Sequence, residues 1–174
     1  LSSGSYDLAN TSANQGNSAK QNFSGGFGLT YNNGTNFIGF SADKLEAEYS
    51  LPGGEGVENR TTINPTRNSI NFKSGIAINY DLFEKLNFEG TISEYNHAER
   101  VLADKHNIEF FNDSYEVKTS LNHKPLFANN LEGIIGFHYQ NLDQGAEGDE
   151  ESHLTKTKTN SFGFFALEKF KYNS

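Results

Sequence analysis

Between Leu131 and Leu142 the chain reads LEGIIGFHYQNL, one of about seven stretches in which apolar residues alternate with polar or small ones between turn signals. Side chains on a strand point to opposite faces with a period of two. Leu131, Gly133, Ile135, Phe137 and Tyr139 therefore share one face, and Glu132, Gly136, His138 and Gln140 share the other. One face suits hydrocarbon and the other suits water. Repeated along a chain, this pattern predicts an all-β fold of antiparallel up-and-down transmembrane strands, an outer-membrane type of β-barrel.

The same alternation recurs elsewhere. NFSGGFGLTY sets Phe23, Phe27, Leu29 and Tyr31 against Ser24, Gly26, Gly28 and Thr30, and SINFKSGIAINYD sets Ile70, Phe72, Ile76, Ile78 and Tyr80 against Asn71, Lys73, Gly75, Ala77 and Asn79. NNGTN between Asn32 and Asn36 predicts a hairpin turn, because Asn and Gly accept the positive φ that tight turns demand. Further strands are expected in NFIGFSADKLEAEY, LNFEGTISEYNHAER, IEFFNDSYEVKTSLNHK and NSFGFFALEKFKY. In the last, Phe162, Phe164 and Phe165 interrupt the alternation, as a β-bulge would. Leu1 to Gln21 is Ser-, Asn- and Gly-rich and reads as a polar loop or tail with a short strand near Tyr6 and Leu8; residues 22–174 carry the strands.

The connections predict an orientation. Short links at Asn32 to Asn36, Asp81 to Lys85 and Pro125 to Asn130 alternate with longer polar ones at Leu51 to Asn68, Val101 to Asn107 and Asp143 to Thr159. Tight periplasmic turns and long external loops have this asymmetry. Tyr31, Tyr80, Tyr95, Tyr139, Phe170 and Tyr172 lie where an interfacial aromatic girdle is expected.

Composition narrows the function classes. No run approaches the roughly 18 apolar residues of a spanning helix. Cysteine is absent, which excludes disulfides and thiol chemistry within this sequence. A formal charge of −8, from 22 acidic and 14 basic residues, disfavours nucleic acid as a partner. The sequence carries no G-x-S-x-G, H-E-x-x-H, P-loop or dinucleotide fingerprint, so no enzymatic activity is expected.

Three segments carry a family likeness. Gly39 through Gly53 enters a large loop in the manner of "G-hydrophobic-S-x-S…E-Y-G-hydrophobic-P-G", with Ser50 at a customary glycine; Glu94 to Glu99 matches a "D-Y-x-H-x-E" strand end; Thr157 to Glu168 matches "T-R-T-x-S-x-G-hydrophobic-F-hydrophobic-x-E", with Lys158 for arginine. In order and spacing they resemble TonB-dependent outer-membrane receptors of the zinc- and haem-uptake branch, over about Phe23 to Tyr172. The resemblance implies a barrel of about 22 strands closed by a plug domain, located in the outer membrane of a Gram-negative bacterium. It implies partners in outer-membrane lipid and, through the plug, the TonB complex. Its cargo would be a metal ion or metal chelate: zinc, haem or a siderophore. No plug-like segment occurs here, so the chain reads as part of such a receptor. The loop GGEGVENRTTINPTRN holds no histidine, and zinc specificity does not carry over from it.

The candidate ligand-binding residues are Tyr95, His97 and Glu99. Spaced by two, they share a face with Thr91 and Ser93, the lumen side if Leu86, Phe88 and Ile92 face lipid. Imidazole and carboxylate are suitable metal ligands, and His97, Glu99, Asp104 and His106 form the candidate metal set, the last two from the following loop. The acidic DQGAEGDEESH stretch matches no EF-hand pattern and reads as a solvated loop. Two other architectures fit the strand count. A complete eight-stranded barrel, acting as an adhesin or structural protein, predicts pairing of Tyr6 to Ala9 with Phe162 to Tyr172. A soluble β-sandwich binding module predicts Ile70, Ile76, Ile135 and Phe137 buried against protein.

Overall fold

The computed structural model describes residues 2–4, 20–51, 61–101, 106–126, 130–148 and 155–172, with the side chains of 2–4, 79 and 106 outside that description. These residues form one antiparallel sheet of eight strands in chain order: β1 (Ser2–Gly4), β2 (Lys20–Asn32), β3 (Phe37–Leu51), β4 (Thr61–Tyr80), β5 (Phe83–Val101), β6 (His106–Leu126), β7 (Leu131–Gly148) and β8 (Thr157–Phe170). Among the described residues β8 pairs only with β7, and the sheet does not close on itself. The closed eight-stranded barrel is therefore not what these strands form; its predicted partner Tyr6 to Ala9 lies outside the described residues. A sandwich needs two facing sheets, and the described residues form one.

Pairing register explains how alternation becomes two chemically distinct faces. In one row across the sheet, Leu29, Phe40, Phe72, Gly90, Val117, Tyr139 and Phe162 are successive partners. The next row is Tyr31, Ile38, Ser74, Phe88, Thr119, Phe137 and Phe164. These rows form an apolar band across seven strands. It remains uncovered: Leu29 is 68% exposed, Ile70 46%, Ile76 47%, Ile135 42% and Phe164 85%. The only buried apolar side chains among the described residues are Ile63 and Ala146.

The opposite face is polar and internally bonded. Thr91 donates to Asn71 Oδ1 at 3.0 Å, Asn87 Nδ2 donates to Asn122 Oδ1 at 2.7 Å, and His138 Nε2 meets Glu116 at 2.9 Å. Residues beyond the apolar band turn charged on the apolar face as well. Lys44, Asn68, Glu94, Asp113, Asp143 and Lys158 form one continuous row there.

Links 33–36, 81–82 and 127–130 lie at one end of the sheet, and 52–60, 102–105 and 149–156 at the other. The first turn forms as predicted: Gly34 has φ of 88°, and Asn32 and Asn33 side-chain oxygens accept from the backbone N–H groups of Gly34, Thr35 and Asn36. The long links are shorter than the sequence suggested. β4 already begins at Thr61 and β7 continues to Gly148, because ladder bonds persist past the apolar band; 102–105 is no longer than 127–130. Register shifts occur only near the short-turn end, at Ala77/Tyr80, Phe83/Lys85 and His123/Leu126. The expected bulge at Phe162 to Phe165 is absent. The β7–β8 ladder is continuous there, with Phe162 and Phe164 on the apolar face and Phe165 on the polar one, where it fills the space above Gly136.

Candidate functional site

At the end of the sheet that bears links 52–60, 102–105 and 149–156, the polar face changes character. Ala47, Ile63, Pro65, Ile108, Phe110 and Ala146 all lie on it by register, and Ile63 and Ala146 are buried there. This small apolar frame flanks two of the three residues that strand spacing singles out, His97 and Glu99, whereas Tyr95 stands between Arg67 and Asn112. His97 stands between Pro65 and Phe110 in the ladder, and Glu99 between Ile63 and Ile108.

Tyr95, His97 and Glu99 come together as a hydrogen-bonded line along β5. The Tyr95 hydroxyl lies 3.2 Å from His97 Nδ1, and His97 Nε2 lies 3.0 Å from Glu99 Oε1. A carboxylate can only accept, so Nε2–H donates to Glu99, leaving Nδ1 to accept from the phenol of Tyr95. The His97 side chain is 21% exposed, against 38% for Glu99. The Phe110 ring stands perpendicular to the imidazole at a centroid distance of 5.7 Å. The line is held from both sides: ring packing fixes the imidazole plane, and the two hydrogen bonds fix its rotation.

Other candidates are placed differently. Asp104 lies outside the described residues. His106 begins β6, paired with Val101, and is not in a loop; its side chain is outside the description. No group of three His, Asp or Glu with metal-binding geometry occurs among the described residues. Of the acidic stretch, Asp143 to Gly148 belongs to β7; Asp149, Glu150, Glu151 and His153 lie outside the described residues. Glu147 forms an ion pair with Lys156, and the hydrogen bond and charge of Glu147 raise the Lys156 pKa above the usual lysine value. Tyr95 lies on the polar face and not among the apolar-face aromatics where a girdle would stand, and Tyr139 sits mid-strand. His123 is buried at the short-turn end, its Nδ1 2.7 Å from the Lys124 carbonyl oxygen and its Nε2 2.9 Å from Glu168.

Register adds residues that alternation alone did not select. Arg67 is the direct ladder partner of Tyr95, and its Nη2 donates to Asp43 Oδ1 at 3.1 Å. The expected link from Leu51 to Asn68 puts Arg67 in a loop, whereas it lies within β4. The signal was present: Ile63, Pro65, Arg67 and Ser69 continue the odd-numbered face of β4 without interruption.

Searches against protein-family models and curated proteins find no match for this chain.

Proposed function

We propose that this chain is part of an outer-membrane β-barrel receptor of the TonB-dependent type, which captures a metal ion or metal chelate at its external mouth and passes it inward without chemical conversion. The observation that carries this reading is the uncovered apolar band across seven strands, backed by a hydrogen-bonded polar face. Full burial of one Val, Leu, Ile or Phe side chain stabilises by about 1.5–3 kcal/mol. About a dozen such side chains, each roughly half exposed, left in water would forgo about as much as the net stability of a typical domain, about 5–15 kcal/mol. Hydrocarbon of the outer membrane is the cover that fits, since the strands are long enough to span: a tilted membrane strand needs about 9–11 residues, and the shortest of β2 to β8 has 13.

The receptor reading draws on the three collinear motifs and on the position of the site. One of those motifs contains Tyr95, His97 and Glu99, and it lies at the end of the sheet assigned to the exterior by its longer links. The TonB complex is the proposed partner, acting through a plug domain outside these residues.

Growth on limiting haemin or zinc tests the function directly. A strain lacking the full-length protein should grow poorly on the transported source, regain growth on re-expression, and lose it again when a protonophore removes the energy supply. Growth indifferent to the protein on both sources overturns the transport reading.

A further inference from the structure

A cavity of about 530 Å³ opens on the apolar face of β2, β3 and β4, between Gln21, Phe23, Glu46, Glu48, Asn64 and Thr66. Register explains why these six meet. Phe23, Glu46 and Thr66 are successive ladder partners; one step further Glu48 pairs with Gln21 and bonds to Asn64 on its other side. The walls differ in chemistry. Phe23 continues the lane of Phe27, Leu29 and Tyr31 along β2, and all four side chains are exposed. Facing them, Asn64 Nδ2 donates to Glu48 Oε2 at 3.1 Å, while Asn64 Oδ1 is buried without a partner among the described residues. Exchanging the two ends of the amide would set its oxygen against the carboxylate, so the nitrogen stays towards Glu48 and the oxygen stays unmet. Lys44 pairs with Glu46 at 2.5 Å, whereas no cation among the described residues forms an ion pair with Glu48.

The depth of this cavity on the membrane follows from the same strand. From Tyr31 back to Phe23, β2 spans nine residues, within the roughly 9–11 that a tilted membrane strand needs. The next outward rung, Gln21 with Glu48 and Asn64, then stands at headgroup level. An apolar lane therefore runs up to a rung with an unanswered negative charge and an unmet acceptor.

We propose that this cavity seats the headgroup of a membrane lipid that bears a primary ammonium, phosphoethanolamine in chemical class, with its acyl chains along Phe23, Phe27, Leu29 and Tyr31. A primary ammonium brings one positive charge and three N–H donors. It answers Glu48, and a small turn of the amide brings Asn64 Oδ1 to the donor it lacks. A quaternary ammonium carries the charge without the donors, and an anionic headgroup meets repulsion from Glu48, so the cavity discriminates among lipids by headgroup. The inference rests on the lipid-facing reading of the apolar face and is independent of the cargo.

Lipid retention by the full-length protein in detergent micelles, counted by native mass spectrometry, tests this with phosphatidylethanolamine, phosphatidylcholine and phosphatidylglycerol of identical acyl chains. Wild type should retain the ethanolamine lipid at least about threefold over either of the others. Glu48→Gln should bring the three lipids to parity, while Glu109→Gln, an acidic residue of the same face on β6, should keep the preference. Equal retention of the three by wild type, or a preference that survives Glu48→Gln, overturns the ammonium site. Free ethanolamine displacing the lipid at equal concentration assigns the cavity to a soluble amine and overturns the lipid. Retention of none of the three overturns the lipid-facing reading itself, and the inference with it.

Discussion

Phe165 of β8 lies across Gly136 of β7, its direct ladder partner, in the space where a β-carbon would stand. Lys118 of β6 sits over the same ring, 5.3 Å from its centroid. Phe37, Gly75 and Lys85 repeat the device on β3, β4 and β5, with Lys85 5.4 Å from the Phe37 centroid. An aromatic ring covering a strand glycine restores the packing that the missing side chain forgoes, and the lysine ammonium stands over the ring as a cation–π partner. Gly136→Ala is expected to cost about 1–3 kcal/mol through overpacking. Gly163→Ala serves as the control, since a β-carbon there meets only His138 Cβ at 3.8 Å. Thermal unfolding of the two variants in micelles checks the difference.

Phe164 is 85% exposed on the apolar face of the edge strand β8. If the apolar band faces lipid, Phe164→Lys should cost about 2–4 kcal/mol in folding into vesicles when the site is near the bilayer midplane. On a water-facing surface the same change would be neutral. Ser161→Lys, on the polar face of the same strand, should fold as wild type does.

Glu168 reaches from β8 over Gly133 of β7 to His123 of β6. Both nitrogens of the His123 ring have oxygen partners, the Lys124 carbonyl and the Glu168 carboxyl group. A double-mutant cycle of His123→Gln and Glu168→Gln should return a coupling energy of about 0.5–3 kcal/mol. Additive effects would mean that the pair contributes nothing.

Much of this arrangement was legible in the sequence, for a physical reason. The strand period of two is strict, so the face of Ile70, Phe72 and Ile76, and that of Tyr95, His97 and Glu99, follow from spacing alone. What spacing lacks is register. Arg67 could not be placed opposite Tyr95, or Phe110 beside His97, because pairing across strands depends on the whole ladder. Strand ends were misjudged where Thr61 to Asn68 and Asp143 to Gly148 are polar yet still paired. The aromatic cluster in β8 suggested a bulge because Phe165 is apolar on a polar face; its glycine partner, Gly136, supplies the explanation only once the register is known.

Lys156 titrates above the usual lysine value because Glu147 bonds to it. A raised pKa means that the charged form is favoured by the fold. The contribution is complete below the ordinary lysine pKa of 10.5 and disappears as pH rises through the higher folded value. Glu147→Gln should lower the Lys156 pKa towards 10.5, read from the 13Cε shift of labelled lysine against pH. Both side chains are more than 60% exposed, so little change in global stability should accompany it.

The central claim is that the apolar face meets lipid and the polar face meets water. Single cysteines can be placed one at a time along β4, at positions 69–73 and 76, in a cysteine-free background of the full-length protein and spin-labelled in bilayers. Collision with molecular oxygen, which concentrates in hydrocarbon, should peak at positions 70, 72 and 76. Collision with a water-soluble nickel chelate should peak at 69, 71 and 73. Even-numbered positions accessible to the nickel chelate, or shielded from both reagents as in a protein core, would contradict the membrane account.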